Sequence, residues 1–266
     1  MEIQVPAWYY AQQSADYTLT FPGEGYRGWT KTDIPLDPAH TAVLVMHAWA
    51  IPPRESCPGI YRVCEYIPRS QQIMKDRFPA FLDAVRASGV RLIHIGSRTE
   101  KSLDSLPGYR RVAKRYPPEA APEQIEPDDT LRRLREFRNE NVFYDRTNQS
   151  DVRAAAAVRD FAIVPRDDED VACTSGQLFG LCREYGITHL IYTGFAVNAC
   201  LTMSPCGFFD MSRRGILCSI VRDLTTAVEN RESCATESHK EYGLWAYALW
   251  GGFVFDSGEL SAALNA

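Results

Sequence analysis

One cysteine of this sequence has the setting of a nucleophile. The stretch HLIYTGFAVNACLTMSP, residues 189–205, runs from an apolar segment through a turn of small residues to Cys200. A cysteine in the first turn of a helix lies beside unpaired backbone N–H groups, which stabilise a thiolate. The same N–H groups can hold the oxyanion of a tetrahedral intermediate. The stretch therefore favours acyl transfer at Cys200; the alternative is a small buried thiol, the usual state of a lone cysteine.

A histidine follows a second apolar segment. In TAVLVMHAWA, residues 41–50, the apolar run ends at His47, and Trp49 comes two residues later. A neutral imidazole is a competent base near pH 7 and can accept the proton of a thiol. Trp49 would give a pocket an aromatic wall. The alternatives are an imidazole satisfied by the backbone at a strand end and an ordinary core tryptophan.

Short apolar runs must position these side chains. Continuous runs lie at 42–46, 90–95, 189–194 and 215–221, with a weaker run at 161–164 and a possible edge strand at 252–255. Such runs are typical of strands covered on both faces. Amphipathic segments lie between them at about 70–88, 176–185, 199–213 and 236–250, and glycines suited to helix C-caps follow three of these, at Gly89, Gly186 and Gly215. The alternation predicts an α/β fold with a mostly parallel sheet.

The carboxyl ends of these strands are the expected ligand site, because open parallel sheets bind ligands outside that edge. The residues that follow the predicted strands are His47 and Trp49, Ser97 to Thr99, Arg166 to Asp170, and Gly194 to Cys200. These residues are the candidates for chemistry and binding.

Composition excludes several classes of partner. The chain has 266 residues, 45% of them hydrophobic, and a formal net charge of −5, so it lacks the basic surface that nucleic acid requires. Its first residues do not resemble a signal peptide, and no apolar run approaches the roughly 18 residues of a membrane span. The eight cysteines include no C-x-x-C pair, which favours reduced thiols over disulfides or a zinc site. We expect a cytoplasmic protein with a small-molecule substrate.

The chain contains no recognisable linker, so residues 1–266 are predicted to form a single domain. Residues 1–40, rich in aromatic residues and proline, are expected to wrap the body as an N-terminal extension. Residues 97–160 are charged and irregular. Long insertions of this kind in compact domains are often lids or oligomer contacts.

The segment IYTGFAVNACLTMSP resembles the nucleophile motif of the isochorismatase-like cysteine hydrolases, a family that includes nicotinamidases and N-carbamoyl amide hydrolases. Gly194 to Cys200 fill the motif, with Val197 where threonine is usual. Further segments resemble the family in the same order along the chain: TAVLVMH, LFGLCREYGITHLIYTG, RRGILCSIVRDLTTA and ALWGGFVFDSGELSAAL. The resemblance covers about residues 41–96 and 160–264.

This resemblance implies a six-stranded, mostly parallel sheet sandwiched by helices in three Rossmann-like layers. It also implies an Asp–Lys–Cys triad with Cys200 as the nucleophile. A non-proline cis peptide at Phe195–Ala196 would lie beside an oxyanion hole formed with Cys200. Family members are commonly dimers or tetramers, so a homo-oligomer is expected.

Two of the three triad positions differ from the family. His47 stands where the family has its aspartate, and the lysine aligns with Arg166 or Asp167. In one hypothesis the site is rebuilt as a Cys200–His47 pair, with Arg166, or alternatively an acid of the DDED run at 167–170, orienting the histidine or the substrate. In the other, the site is catalytically inactive, and the protein binds a ligand or a partner.

The sequence therefore predicts a cysteine hydrolase acting through a thioester on a small amide, carbamoyl or related carbonyl compound. The alternative is an inactive family member that binds. Trp49, Arg98 and Val197 are predicted to line the substrate pocket. The place of the nicotinamidase metal motif, GSRTEKSLDS at 96–105, has no histidine, so no metal is expected. There is no Walker A or G-x-G-x-x-G motif, so no nucleotide cofactor is expected either.

Overall fold

A computed structural model describes residues 2–119, 123–143 and 146–266, without the side chains of residues 143 and 146. Within these ranges, ten β-strands lie at β1 Ile3–Ala11, β2 Gly28–Leu36, β3 Thr41–Met46, β4 Trp49–Ala50, β5 Arg91–Ile95, β6 Asp160–Phe161, β7 Asp170–Ala172, β8 His189–Gly194, β9 Leu217–Thr225 and β10 Val254–Phe255. The α-helices of the same ranges are α1 Pro58–Val63, α2 Ile67–Asp76, α3 Phe78–Ser88, α4 Pro107–Arg115, α5 Asp129–Arg138, α6 Arg146–Ala157, α7 Ser175–Tyr185, α8 Cys200–Met203, α9 Phe208–Ser212, α10 Ser238–Trp250 and α11 Ser257–Leu264. None of these helices is long and apolar enough to cross a membrane.

The main sheet has eight strands in the order β2-β1-β10-β9-β8-β3-β5-β7. The six strands from β10 to β7 are all parallel, which confirms the predicted parallel sheet. Beyond them, β1 pairs antiparallel with both β10 and β2. The N-terminal residues thus extend the sheet as a hairpin instead of wrapping the body, and β10 is an interior strand instead of an edge.

The central strands are apolar throughout because both of their faces are covered. All six residues of β3 are buried. Leu44 and Met46 pack into the core cluster on one face, and Val43 and Val45 pack into the cluster on the other. Burial of each such side chain contributes about 1.5–3 kcal/mol. An uninterrupted apolar run is therefore what this position of the sheet requires.

The prediction of a main-sheet strand at 161–164 is wrong. Phe161 pairs with Trp49 in a separate two-stranded sheet of β4 and β6, and Val164 is 64% exposed. The strand beside β5 is instead β7, which begins with an acidic residue, Asp170. Its buried carboxylate is compensated by Arg111 at 2.8 Å and by the Tyr185 hydroxyl at 2.7 Å.

The predicted helix at 199–213 is two short helices. The first, α8, ends before Ser204, whose backbone is extended at φ −74° and ψ 163°. Proline disfavours helical geometry in the residue before it and removes its own N–H from the helical ladder. Pro205 therefore accounts for the break between α8 and α9.

The ends of β3 and β8 approach each other very closely at Gly194. Met46 lies opposite Gly194 in the parallel register. Gly194 has φ +114°, and a Cβ atom there would overlap the Met46 carbonyl oxygen. Only glycine fits this position. Since the two chains leave the sheet side by side, the residue after β3 and the turn after β8 enter the same space.

Candidate active site

A cavity of about 730 Å³ lies at the carboxyl ends of the parallel strands. Four strand ends contribute to it, those of β3, β5, β7 and β8. Its walls also include residues of the 97–160 insertion and of α9, and the full set is His47, Trp49, Gly96, Ser97, Arg98, Glu119, Arg159, Cys173, Thr174, Ser175, Cys200, Ser204, Pro205, Asp210 and Arg214. The cavity therefore brings together Cys200, His47, Trp49 and Arg98 from separate parts of the chain.

Cys200 is the first residue of α8 and is partly exposed in this cavity. Three N–H groups in the preceding turn donate to carbonyl oxygens: those of Phe195, Val197 and Ala199. The N–H groups of Ala196 and Cys200 have no hydrogen-bond partner in the described parts of the chain. Unpaired N–H groups of a buried turn are suited to bind a developing oxyanion. The Phe195–Ala196 peptide is cis, as the resemblance implies.

The turn that carries Cys200 is held to the loop after β9. The Asn198 side-chain amide donates to the Val228 carbonyl and accepts from the Val228 N–H, both at 2.9 Å. The Val197 N–H donates to the Thr226 carbonyl at 2.8 Å. These bonds fix the backbone on which the thiol depends.

His47 is held in a strained and buried position. Its backbone φ of 53° is in the left-handed region, which costs a non-glycine residue about 1–3 kcal/mol. Its N–H donates to the Ile95 carbonyl at 3.2 Å, and its ring stacks on Trp49 with centroids 4.5 Å apart. The buried Nδ1 has no hydrogen-bond partner in residues 2–119, 123–143 and 146–266. The imidazole is therefore fixed in place by its backbone and by Trp49, and it lines the cavity.

Burial and, to a smaller extent, the positive charge of Arg159 together lower the pKa of His47 to about 4. The ring is only 7% exposed, so the charged form loses most of its hydration. His47 is consequently uncharged at neutral pH and can act as a proton acceptor.

Trp49 is fixed by a buried carboxylate. Its indole Nε1 donates to Glu100 Oε1 at 2.7 Å. Glu100 is 5% exposed and also accepts from the Ser97 N–H at 2.8 Å. This contact ties β4 to the turn after β5. Trp49 thereby supplies the rigid surface on which His47 stacks.

Arg159 is one of the cavity residues that the sequence did not reveal. Its guanidinium lies 3.9 Å from the centroid of the Trp49 ring. Burial raises the pKa of Cys64 most, and Cys200 raises it further. Arg159 lowers the pKa of the same thiol. Arg159 precedes β6, an antiparallel strand of the small sheet. Arg159 does not follow a parallel strand, so the expectation that ligand-binding residues come after such strands does not include it.

Arg166 lies outside this cavity. It precedes β7, whereas the cavity contains residues that follow β7. The Arg166 N–H donates to Glu169 Oε2 at 2.9 Å, and its guanidinium lies 3.5 Å from Asp83. Its predicted role beside His47 depended on the incorrect strand at 161–164. The residue that directly follows the actual strand is Cys173, whose pKa is raised to about 12 by burial and by Glu100.

Val197 is a core residue and does not line the cavity. It is fully buried and packs against Gly243, where an added Cβ would meet the Val197 side chain. Arg98 does line the cavity and donates to the Glu119 carbonyl at 3.2 Å. Of the three predicted pocket residues, Trp49 and Arg98 line the cavity and Val197 does not.

A second cavity, of about 60 Å³, adjoins the first. His47, Trp49 and Arg159 line both. The other walls of the smaller cavity are mostly apolar: Ile51, Ile60, Cys64, Tyr66, Ile67, Ser70, Met74 and Phe195. Among the described residues, no group of three His, Cys, Asp or Glu side chains is placed to hold a metal ion, and all eight cysteines are free thiols.

No protein-family model matches the sequence, and no curated protein does. Solved structures with a similar course of the chain include a cysteine hydrolase from Pseudomonas syringae pv. phaseolicola 1448A, at 15% identity and a TM-score of 0.48, covering 86% of this chain and 94% of that one. An isochorismatase-like hydrolase from Alkaliphilus metalliredigens has 16% identity and a TM-score of 0.44, covering 84% and 98%. The nicotinamidase SaPncA from Staphylococcus aureus has 11% identity and a TM-score of 0.37, covering 79% and 95%.

These structures belong to the same group of hydrolases that the sequence motifs resemble. At such identities and TM-scores, the likeness carries no argument about activity. The assignment of the fold rests on the strand order, and the question of activity rests on the side chains of the cavity.

Proposed function

We propose that this chain is a cysteine hydrolase that cleaves a small amide, carbamoyl or related carbonyl compound through a thioester. The observation that carries the proposal is the shared cavity of Cys200 and an uncharged His47, which follow adjacent parallel strands. Two N–H groups without partners in the described chain, those of Ala196 and Cys200, support it. A nucleophile, a base and oxyanion donors are the parts that acyl transfer needs.

In the proposed reaction, His47 takes the proton of the Cys200 thiol as the sulfur attacks the carbonyl carbon. The N–H groups of Ala196 and Cys200 stabilise the oxyanion of the tetrahedral intermediate. When this intermediate collapses, the carbon–nitrogen bond breaks, and the leaving amine takes the proton from His47. A water molecule then attacks the thioester with His47 again as the base, and the acid product leaves with the thiol restored.

The electrostatics favour an uncharged His47 before the reaction. Its burial and Arg159 both oppose protonation of the imidazole. The proton therefore moves during the attack, as in general base catalysis.

A panel of primary amides and N-carbamoyl compounds tests this proposal. Wild type should release ammonia from at least one member, and Cys200→Ala should abolish the release. Acid-quenched mass spectrometry should find the acyl group on the peptide that contains Cys200. Cys64 lies close enough to Cys200 to be influenced by its charge, but the proposal does not place the acyl group on it. Cys64→Ala is therefore the matched control. Ligand binding without turnover across the panel would favour the inactive, binding member instead.

We further propose that the chain forms a homo-oligomer. An aromatic cluster on α10 supports this: Trp245 contacts Tyr242 and Trp250, which are 57% and 56% exposed. Aromatic residues are enriched in protein interfaces. Light scattering should give a mass above one chain, and Trp250→Glu should lower it. A mass of one chain at every concentration would refute the proposal.

A further inference from the structure

On the premise of the proposed function, we propose that the substrate carries a carboxylate and that Arg159 binds it. Arg159 would then be the residue that selects substrates with a carboxylate close to the scissile carbonyl. Three properties of this side chain support the assignment: it has no acidic partner among the described residues, it lies over the Trp49 ring, and it lines both cavities.

Arg159 has no acidic partner. No carboxylate lies within ion-pair distance of it in the described residues, its Nε is buried without a hydrogen bond, and its single hydrogen bond is a long one, of 3.5 Å to Thr99 Oγ1. The other two arginines of the cavity are engaged by one residue. Arg98 donates to the Glu119 carbonyl at 3.2 Å, and Arg214 lies 3.9 Å from the Glu119 carboxylate. A partly buried cation without a counter-ion is costly, and an anionic ligand removes that cost.

The contact with Trp49 leaves the donors of Arg159 usable. The Cζ atom of Arg159 lies over the Trp49 ring, 3.9 Å from its centroid. A guanidinium that stacks on an aromatic face keeps its N–H groups free to form two parallel hydrogen bonds to a carboxylate. Because Glu100 fixes Trp49, this platform is rigid.

The position of Arg159 limits the distance between the carboxylate and the reacting carbonyl. Arg159 and His47 both line the two cavities, and both contact Trp49. A carboxylate bound at Arg159 would therefore lie in the same cavity as the Cys200 thiol and His47. Binding of an anion would also offset the charge that lowers the pKa of His47, so a carboxylate-bearing substrate would make the base stronger.

The experiment compares a series of ω-amide carboxylic acids, from oxamate to glutaramate, with the methyl ester of each acid. Wild type should prefer one or two of the acids over their esters by about 10²-fold in kcat/KM, the value of a bidentate charged contact. Arg159→Gln should remove this preference, and Arg159→Lys should restore part of it. Arg166→Gln, which removes an arginine outside the cavity, is the matched control and should keep the preference. Equal use of acids and esters by wild type would overturn the inference, as would a preference that depends on Arg98 and not on Arg159.

A binding measurement separates this inference from the proposed function. Calorimetric titration of Cys200→Ala with succinate and with its diamide requires no turnover. Tighter binding of succinate that is lost in Cys200→Ala/Arg159→Gln supports the carboxylate site even if no amide is hydrolysed. Equal binding of both compounds contradicts the site even if amides are hydrolysed.

Discussion

The two buried histidines near adjacent strands β3 and β5 have opposite surroundings. His94 is fully buried, and its Nε2 lies 2.9 Å from Glu169, which Arg86 also binds at 2.7 Å. His47 has no side-chain hydrogen bond in the described chain, and the nearby Arg159 has no acid to neutralise it. The first is a closed cluster of base, acid and cation. The second, the open site, has a base and a cation but no acid within ion-pair distance of that cation in the described residues, and it lines a cavity. The difference indicates that the cavity at His47 is the place where a ligand can supply the acidic group that the protein does not.

The pKa values follow the same difference. Burial raises the pKa of Glu169, but hydrogen bonds from His94, Arg86 and the Arg166 N–H more than offset this and lower it to about 2. Burial lowers the pKa of His94, and Glu169 opposes that shift. At His47, burial and Arg159 act in the same direction. Of these two histidines, only His47 lacks a group that opposes the lowering of its pKa by burial.

Replacing the base of the open site should have the largest effect. His47→Ala is expected to lower kcat/KM by about 10²–10⁴-fold, the usual contribution of general acid–base catalysis, and to lower stability only through the lost stacking on Trp49. Steady-state kinetics and a thermal melt measure both. Full activity of His47→Ala on a substrate that requires Cys200 would exclude the proposed base.

The closed cluster should respond in the opposite way. His94→Ala is expected to destabilise the fold by about 3–5 kcal/mol, because it opens a cavity and removes a partner of buried Glu169. Urea unfolding measures the loss, and His40→Ala, at an exposed histidine, should cost under about 1 kcal/mol. Activity per folded molecule should change little. If His94→Ala is stable but inactive, the contrast between the two histidines is wrong.

The pH dependence of kcat/KM should show the low pKa of His47. A histidine with a folded pKa of about 4 is a neutral base at pH 6–8, so activity should be flat there. It should fall about tenfold per unit below pH 4 as the ring takes up a proton. Glu169, with a pKa of about 2, keeps the closed cluster charged through this range, and circular dichroism should confirm that the protein remains folded. A decrease in kcat/KM with a midpoint near pH 6.5 would mean that His47 is hydrated like an ordinary histidine.

The smallest effect is expected at Arg166. Arg166→Gln should leave kcat/KM within about twofold of wild type, since the side chain is exposed and contacts Asp83 outside the cavity. The same assay measures it. A loss of 10²-fold would restore the catalytic role that the sequence predicted.

Sequence reasoning found the parts of the site that follow strongly apolar strands. His47, Trp49 and Cys200 come after β3 and β8, whose buried faces dictate continuous apolar runs. The strand β7 leaves no such signal, since a three-residue strand that starts with buried Asp170 has no apolar run, and the compensating Arg111 is remote in sequence. The error moved the predicted cation to Arg166.

Arg159 and the N-terminal hairpin were not predictable for a different reason. Arg159 enters the cavity from β6, whose pairing with β4 joins segments more than a hundred residues apart. The hairpin of β1 and β2 depends on pairing with β10 near the opposite end of the chain. Local pattern contains little information on such contacts.

The hairpin also determines which strand forms one of the two edges of the main sheet. Without residues 3–36, the open edge would be β10, a short apolar strand of Val254 and Phe255 with unpaired backbone groups. With the hairpin, the edge is β2, where Pro35 has no N–H to offer and exposed Asp33 repels a close neighbour. Removal of the N-terminal segment would therefore produce a chain that keeps His47 and Cys200 yet self-associates through strand pairing, so its first effect would be on solubility.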